Sequence, residues 1–354
     1  MVTVPTAMSA LDHHLQAVVR TGVQGVVAVA VRPGFSWEGA AGVSDVETGA
    51  PMTLEHRFRI ASVTKLFVAT VVLQLVGEGA FELDGEVGST AGGVTVRQLL
   101  NHTSGLQNYA DLGETIEPYR QDINHRSGLT PRDALALAEA RPRLFAPGEG
   151  WSYSGSNYVA LGLLVEETTG ATLREELSRR IFEPLGLGST DLPDDSTSPG
   201  LARGYIPPND PLLPFPGPDL IDVTDLDMFT WGGGGMVSTA RDVARFLGTL
   251  LGGELLSPDL RDELLSTVVS DWEESDGYGL GIEEVTSVMG MAGSPCGPAW
   301  GHLGFWPGYG TIALASKTGD RQVVILANTL LQSEEPWVAL GDLTWACYCG
   351  GDAS

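Results

Sequence analysis

Hydrophobic and polar positions alternate in two distinct periods along this chain. Residues 7–19 carry apolar side chains at Met8, Leu11, Leu15 and Val18–Val19, the spacing of one helical face. Residues 24–31 then read as a buried strand, Pro33-Gly34 as a turn and 36–43 as a second strand. After Ser62 comes a nearly all-apolar stretch ending at Gly77-Glu78-Gly79, which predicts a helix with little room for a solvent face and so a central one. Helical patterns follow at 94–100, 131–140, 157–168 and 173–181, and again at 240–251. Residues 206–218 contain six prolines and predict an irregular surface loop. Strand patterns return at 279–284, 310–316 and 322–328, before a last helix at 335–345. Strands at both ends of a helical middle predict a mixed α/β fold: a sheet domain made of residues 1–90 and 235–354, with a mainly helical domain, 91–234, inserted.

Composition narrows the function. The 354 residues include 20 Lys+Arg against 45 Asp+Glu, a net charge of −25. A phosphate-binding face needs clustered cations, so nucleic acid is excluded as a partner, and docking to an anionic membrane is disfavoured. The longest apolar run, 66–76, is too short to span a bilayer. The first basic residue is Arg20, which does not suit a secretory leader, and a cytoplasmic location is expected. Cys296, Cys347 and Cys349 form no even framework and lack the spacing of a redox or zinc site, so free thiols are expected.

The chemistry concentrates in three places. In Ser62-Val63-Thr64-Lys65 a hydroxyl and an amine lie three residues apart on one helix face. Serine needs a neighbouring base to act as a nucleophile, and a lysine whose pKa burial has lowered can serve. Alone the pattern is weak, equally readable as a capping serine with an exposed lysine; the apolar run after Lys65 favours the chemical reading. Tyr153 lies in a polar loop before a helix, where it can act as phenolate base or proton relay. His302 and Gly304 follow Trp300-Gly301, just ahead of a predicted strand. Gly155, Asn157, Trp231, Gly304, Phe305 and Trp306 form the expected substrate rim, and Phe229 and Tyr309 could join them as an aromatic wall or belong to ordinary core. His102 reads as structural, while His13, His14, His56 and His125 have no metal-ligand spacing. The acidic run Asp219, Asp222, Asp225 and Asp227 reads as a solvated loop, and the glycines 232–235 as a tight loop beside the site.

Taken together these motifs resemble the serine β-lactamase and penicillin-binding-protein superfamily, and within it the branch of class C β-lactamases, DD-carboxypeptidases and family VIII esterases. The resemblance rests on Ser62-x-x-Lys65, Tyr153 and His302-x-Gly304, supported by 58–61, 99–106, Phe145-x-Pro147-Gly148, 183–187 and Gly234-Gly235-Met236, and it runs from about residue 15 to 330. It implies an antiparallel sheet flanked by helices, Ser62 as acylated nucleophile, Lys65 as its base, Tyr153 as relay, His302 on the third wall, and an oxyanion hole from the N–H groups of Ser62 and Phe305. It implies no metal or organic cofactor, and a small-molecule or peptide substrate, free or on a carrier. Where the second motif of such proteins often reads Tyr-x-Asn, this chain has Gly155, which puts efficient β-lactam hydrolysis in doubt. The expected activity is serine acyl-enzyme hydrolysis or acyl transfer on an ester or amide, such as a D-configured peptide. The alternatives are an intracellular amide-forming enzyme and a non-catalytic sensor on the same fold; the intact motif set disfavours the sensor.

Overall fold

The computed structural model describes residues 4–88, 91–194, 198–271, 275–290, 292–330 and 333–350. Eight strands form one antiparallel sheet: β1 (Gly25–Arg32), β2 (Phe35–Asp45), β3 (Ala50–Pro51), β4 (Ser275–Tyr278), β5 (Glu283–Val285), β6 (Ala299–Trp306), β7 (Tyr309–Ala315) and β8 (Gln322–Ala327), in the spatial order β3-β2-β1-β8-β7-β6-β5-β4. The first and last parts of the chain meet where β1 pairs with β8, Val26 opposite Ala327 and Val31 opposite Gln322.

Strand β1 is apolar on both faces because both are covered. Val26, Ala28 and Ala30 join a cluster with Leu11, Leu15 and Val18 of α1 (Val4–Arg20) and with Leu340 and Leu343 of the C-terminal helix Glu334–Cys349. Val27 and Val29 point the other way, into a cluster with α2 (Thr64–Gly77) and with Phe246, Leu247 and Leu250 of the helix Ala240–Gly252. Helix α2 is buried almost all round, as its composition requires, and Phe67 stacks on Phe246 with ring centroids 3.6 Å apart. The same apolar cluster continues through Tyr158 and Leu161 of α3 (Gly155–Thr169) to Leu99, Leu100 and Leu177. The helical middle thus shares a core with the sheet.

The Pro-rich segment, expected as an ordered or mobile surface loop, is anchored, with Leu213 buried against Ile116, Tyr119 and Val223. Three expectations need correction. The strand expected at 279–284 is interrupted: β4 stops at Tyr278 and β5 starts at Glu283, with a glycine turn between them, Gly281 at φ +85°. His302 lies inside a strand, β6, because an antiparallel partner on each side tolerates its two glycines. Finally, Cys296 and Cys349 are joined as a disulfide across 53 residues of sequence, and Cys347 alone is free and buried. Sequence spacing carried no sign of this bridge because the fold brings its two ends together. The cysteines therefore lend no support to a reducing compartment. Among the described residues no helix is long and apolar enough to cross a membrane.

Candidate active site

Ser62 occupies a single 3-10 turn, Ala61–Val63, that leads into α2. Its neighbours Ala61 and Val63 are buried while Ser62 is only half-buried, and Ala61 holds a positive φ of 47°, a strained conformation for a residue with a Cβ. The turn presents the hydroxyl at the N-terminal end of a buried helix, where the backbone N–H groups favour developing negative charge. One helical turn on, Lys65 is 2% exposed, and its Nζ lies 3.3 Å from Ser62 Oγ. The same amine donates to the carbonyl of Gly233 at 2.5 Å. It stands 4.6 Å from the centre of the Tyr153 ring and 5.6 Å from that of Tyr158. Among the described residues Lys65 makes no ion pair. Burial pushes its pKa down to about 7, against the opposing field of Glu283. A lysine so placed is substantially neutral near pH 7 and able to take a proton from Ser62.

The glycine run explains how a carbonyl reaches the amine. A side chain at Gly235 would come within 3.0 Å of the Trp231 backbone, and one at Gly233 would press on the Gly155 backbone at 3.4 Å. This loop therefore touches both Lys65 and the start of α3.

Tyr153 is half-buried, with its hydroxyl buried. Desolvation drives its pKa well above the ordinary tyrosine value, partly offset by a hydrogen bond with Ser62. The phenol thus stays protonated at neutral pH, which favours the relay over the phenolate reading. Gly155 donates its N–H to Asn108 Oδ1 at 3.0 Å, and a Cβ there would lie 3.1 Å from that oxygen. The place of the missing amide is bordered by Asn108 and Tyr109 from another segment.

His302 reaches the site but not its open wall. It is fully buried, its ring centre 6.2 Å from that of Tyr153, and its polar contacts run backwards. Nδ1 lies 2.9 Å from Glu283 Oε1 and 2.5 Å from the carbonyl of Leu303; Nε2 lies 3.1 Å from the hydroxyl of Tyr278. Gly304 is needed for close approach, since a Cβ there would meet the carbonyl of Ile60 at 2.5 Å. That contact draws β6 alongside the Ser62 turn.

The rim needs correction in two places. Asn157 is fully buried, accepting from Ser104 Oγ at 2.6 Å and bonded through Nδ2 to His102, so its amide serves the interior. Trp306 is buried beneath Arg59, whose guanidinium lies 5.2 Å from its ring centre. Trp231 is half-buried, its ring beside Gly162, and it lines a cavity with Arg59, Phe229 and Gly235. Tyr309 is core, bonded to the Ala202 carbonyl. Phe305 is exposed and meets Trp337 edge to face at 5.4 Å. Periodicity does not separate Phe305 from Trp306, because neighbouring strand residues face opposite ways and only the pairing shows which way is in.

Two buried residues escaped the sequence reading altogether, Tyr278 and Glu283. The signal for Glu283 was faint, as the first of two consecutive acids between Ile282 and Val285. His102 is structural as expected. Burial, then the fields of Lys65 and His302, hold it well below the usual imidazole pKa, so it is neutral.

Comparisons with known proteins agree with this arrangement. The Beta-lactamase family profile matches residues 11–338. Esterase EstB of Burkholderia gladioli is 30% identical over 94% of this chain and 93% of its own length. Penicillin-binding protein 4* of Bacillus subtilis is 27% identical over 81% of this chain, which spans 64% of that protein. Among solved structures, a D-stereospecific amidohydrolase from Streptomyces superimposes with a TM-score of 0.79 at 28% identity, over 98% of this chain and 99% of that one. The D-amino acid amidase of Ochrobactrum anthropi SV3 does so with a TM-score of 0.82 at 25% identity, over 95% and 97%.

Proposed function

Because the chain belongs to the β-lactamase family and is an enzyme of serine hydrolase type, we propose that it cleaves an ester or amide of a D-configured acyl group through an acyl-enzyme on Ser62. The observation that carries this reading is the buried Lys65 amine, 3.3 Å from Ser62 Oγ and with its pKa lowered to about 7. Neutral Lys65 takes the Ser62 proton as Oγ attacks the acyl carbonyl. The tetrahedral oxyanion is received by N–H groups at the start of α2 and on β6, and Tyr153 passes a proton to the departing alcohol or amine. Water then attacks the ester of Ser62, its proton returning through Tyr153 and Lys65, and the acid is released. The D-configuration is supported by the D-stereospecific amidohydrolase and D-amino acid amidase among the similar structures, and the ester by EstB. Gly155 supports a preference for esters and simple amides over β-lactams, since it brings no amide of its own and the neighbouring amide of Asn108 is engaged by the Gly155 N–H and by Asp111.

Intact-protein mass after mixing with a peptidyl ester bearing a D-residue tests the assignment. Wild type is expected to gain a transient acyl adduct and release acid, whereas Ser62→Ala gains none. Tyr153→Phe is expected to hold the adduct at least about 100-fold longer. An adduct that forms on Ser62→Ala, or from the L-ester alone, would sink the nucleophile or the stereochemistry respectively. Added amine that captures the acyl group as amide would make the enzyme a transferase.

A further inference from the structure

Behind Tyr153 a chain of buried polar groups crosses from the helical middle to the sheet, and the orientation of its protons follows from its ends. The backbone N–H of Ser154 can only donate, so His102 Nδ1, 3.2 Å away, accepts. Asn157 Nδ2 donates to the same nitrogen at 2.9 Å, while Asn157 Oδ1 receives Ser104 Oγ–H. The proton of neutral His102 therefore sits on Nε2, 3.2 Å from the hydroxyl of Tyr278. At the far end His302 Nδ1 faces only acceptors, the Leu303 carbonyl and Glu283 Oε1, so Nδ1 carries a proton. Between the two rings Tyr278 accepts from His102, and its hydroxyl lies 3.1 Å from His302 Nε2. His102, Asn157, His302 and Glu283 are completely buried, as is Tyr278.

Glu283 is brought to this place by a backbone that only glycine permits. Gly281, at φ +85°, lets the chain turn directly over α2; a Cβ there would lie 2.6 Å from the Tyr158 hydroxyl, 2.7 Å from Ala69 Cβ and 3.3 Å from the carbonyl of Lys65 itself. A carboxylate buried at such a point is costly unless it is paired, and His302 is its partner.

We propose that Glu283 is a positioning residue of the active site: its carboxylate, 2.9 Å from His302 Nδ1, favours a proton on that nitrogen, fixing the ring that Tyr278 bridges to His102, and supplies a buried negative charge on the segment that Gly281 folds over Lys65. The second half rests on the reading of Lys65 as the base. The groups facing Lys65 are Ser62, the rings of Tyr153 and Tyr158, and the Gly233 carbonyl, with His102, His302 and Tyr278 beyond. Burial holds the tyrosines protonated and His102 neutral. The carboxylate of Glu283 opposes the loss of the Lys65 proton. It thereby raises the pH at which the amine loses its proton, and so shifts where the acidic limb of activity falls.

Lys65 and Lys317 are the only lysines in the chain, so the test can read the amine directly. The protein labelled at lysine Cε with ¹³C is titrated as wild type and as Glu283→Gln, which keeps the size of the side chain and removes its charge. The Lys65 titration is expected to move to lower pH by about 1 unit in the variant, the direction that follows from removing an opposite charge. The acidic limb of kcat/KM for the ester is expected to move with it. A Lys65 titration that stays in place in a folded Glu283→Gln protein overturns the proposal. If the titration moves and the kinetic limb does not, Glu283 keeps its role and the assignment of Lys65 as base falls. Imidazole ¹⁵N spectra of the wild-type protein need no Glu283 variant to fold. His302 is expected protonated on Nδ1 and His102 on Nε2, and a His302 protonated on Nε2 alone overturns the proposal.

Discussion

Two buried charges in this protein are treated in opposite ways. Glu176, 2% exposed, is held by Arg180 at 2.6 Å and Arg179 at 2.7 Å, and Arg180 reaches on to Glu78. Its carboxyl is desolvated, yet the two guanidinium groups hold its pKa below the ordinary value. Lys65 is as deeply buried but has a carbonyl, a hydroxyl and aromatic faces in place of a carboxylate. A buried ion given all its partners stays ionised and ties the fold together. One denied a contacting counter-ion gives up its charge near neutral pH and becomes a base.

Lys65→Met should widen that contrast most. Acylation is expected to fall by at least about 1,000-fold, close to the loss in Ser62→Ala, because the two side chains act as a unit. The same substitution should raise the melting temperature by a few degrees at neutral pH. The sign follows from linkage. The folded pKa of about 7 lies below the ordinary 10.5, so between these values the unfolded chain binds a proton that the folded one has released. The Lys65 penalty is therefore full below about 7 and shrinks as pH rises towards 10.5, and the melting gain in Lys65→Met should shrink with it. Thermal melts from pH 6 to 10 check this; a gain that grows with pH would refute the assignment.

Glu176→Ala should do the reverse, costing about 3 kcal/mol by taking one of its two carboxylates from Arg180, which is 11% exposed and keeps Glu78, while leaving kcat/KM near that of wild type. Urea unfolding beside ester kinetics distinguishes the two effects. The smallest effect is expected from Cys349→Ser. It removes the tether between the C-terminal helix and the loop before β6, and should lower stability by about 2 kcal/mol with activity retained. Equal stability under reducing and oxidising conditions would show that the bridge contributes nothing.

Much of the framework could be read along the chain. The all-apolar stretch after Ser62 became the buried α2, and the runs near both ends became β1, β7 and β8, since burial on both faces leaves a continuous apolar record. Ser62 and Lys65 were legible for the same local reason: three residues apart in a helix means adjacent in space. The rim was not. Asn157 and Trp306 stand near the motifs in sequence but face the interior, and on β6 a one-residue difference in direction separates exposed Phe305 from buried Trp306. Tyr278 and Glu283 were missed because their partners lie on another strand.

By itself the sequence determined which elements form, where the central helix begins, and that a hydroxyl and an amine share its first turn, because each depends on neighbours within a few residues. Only the tertiary structure decided that no carboxylate among the described residues touches Lys65, that a glycine carbonyl takes its place, that Cys296 meets Cys349, and that Glu283 stands behind His302. Solvent exclusion and strand register are properties of the packed whole, and they convert an ordinary lysine into a base.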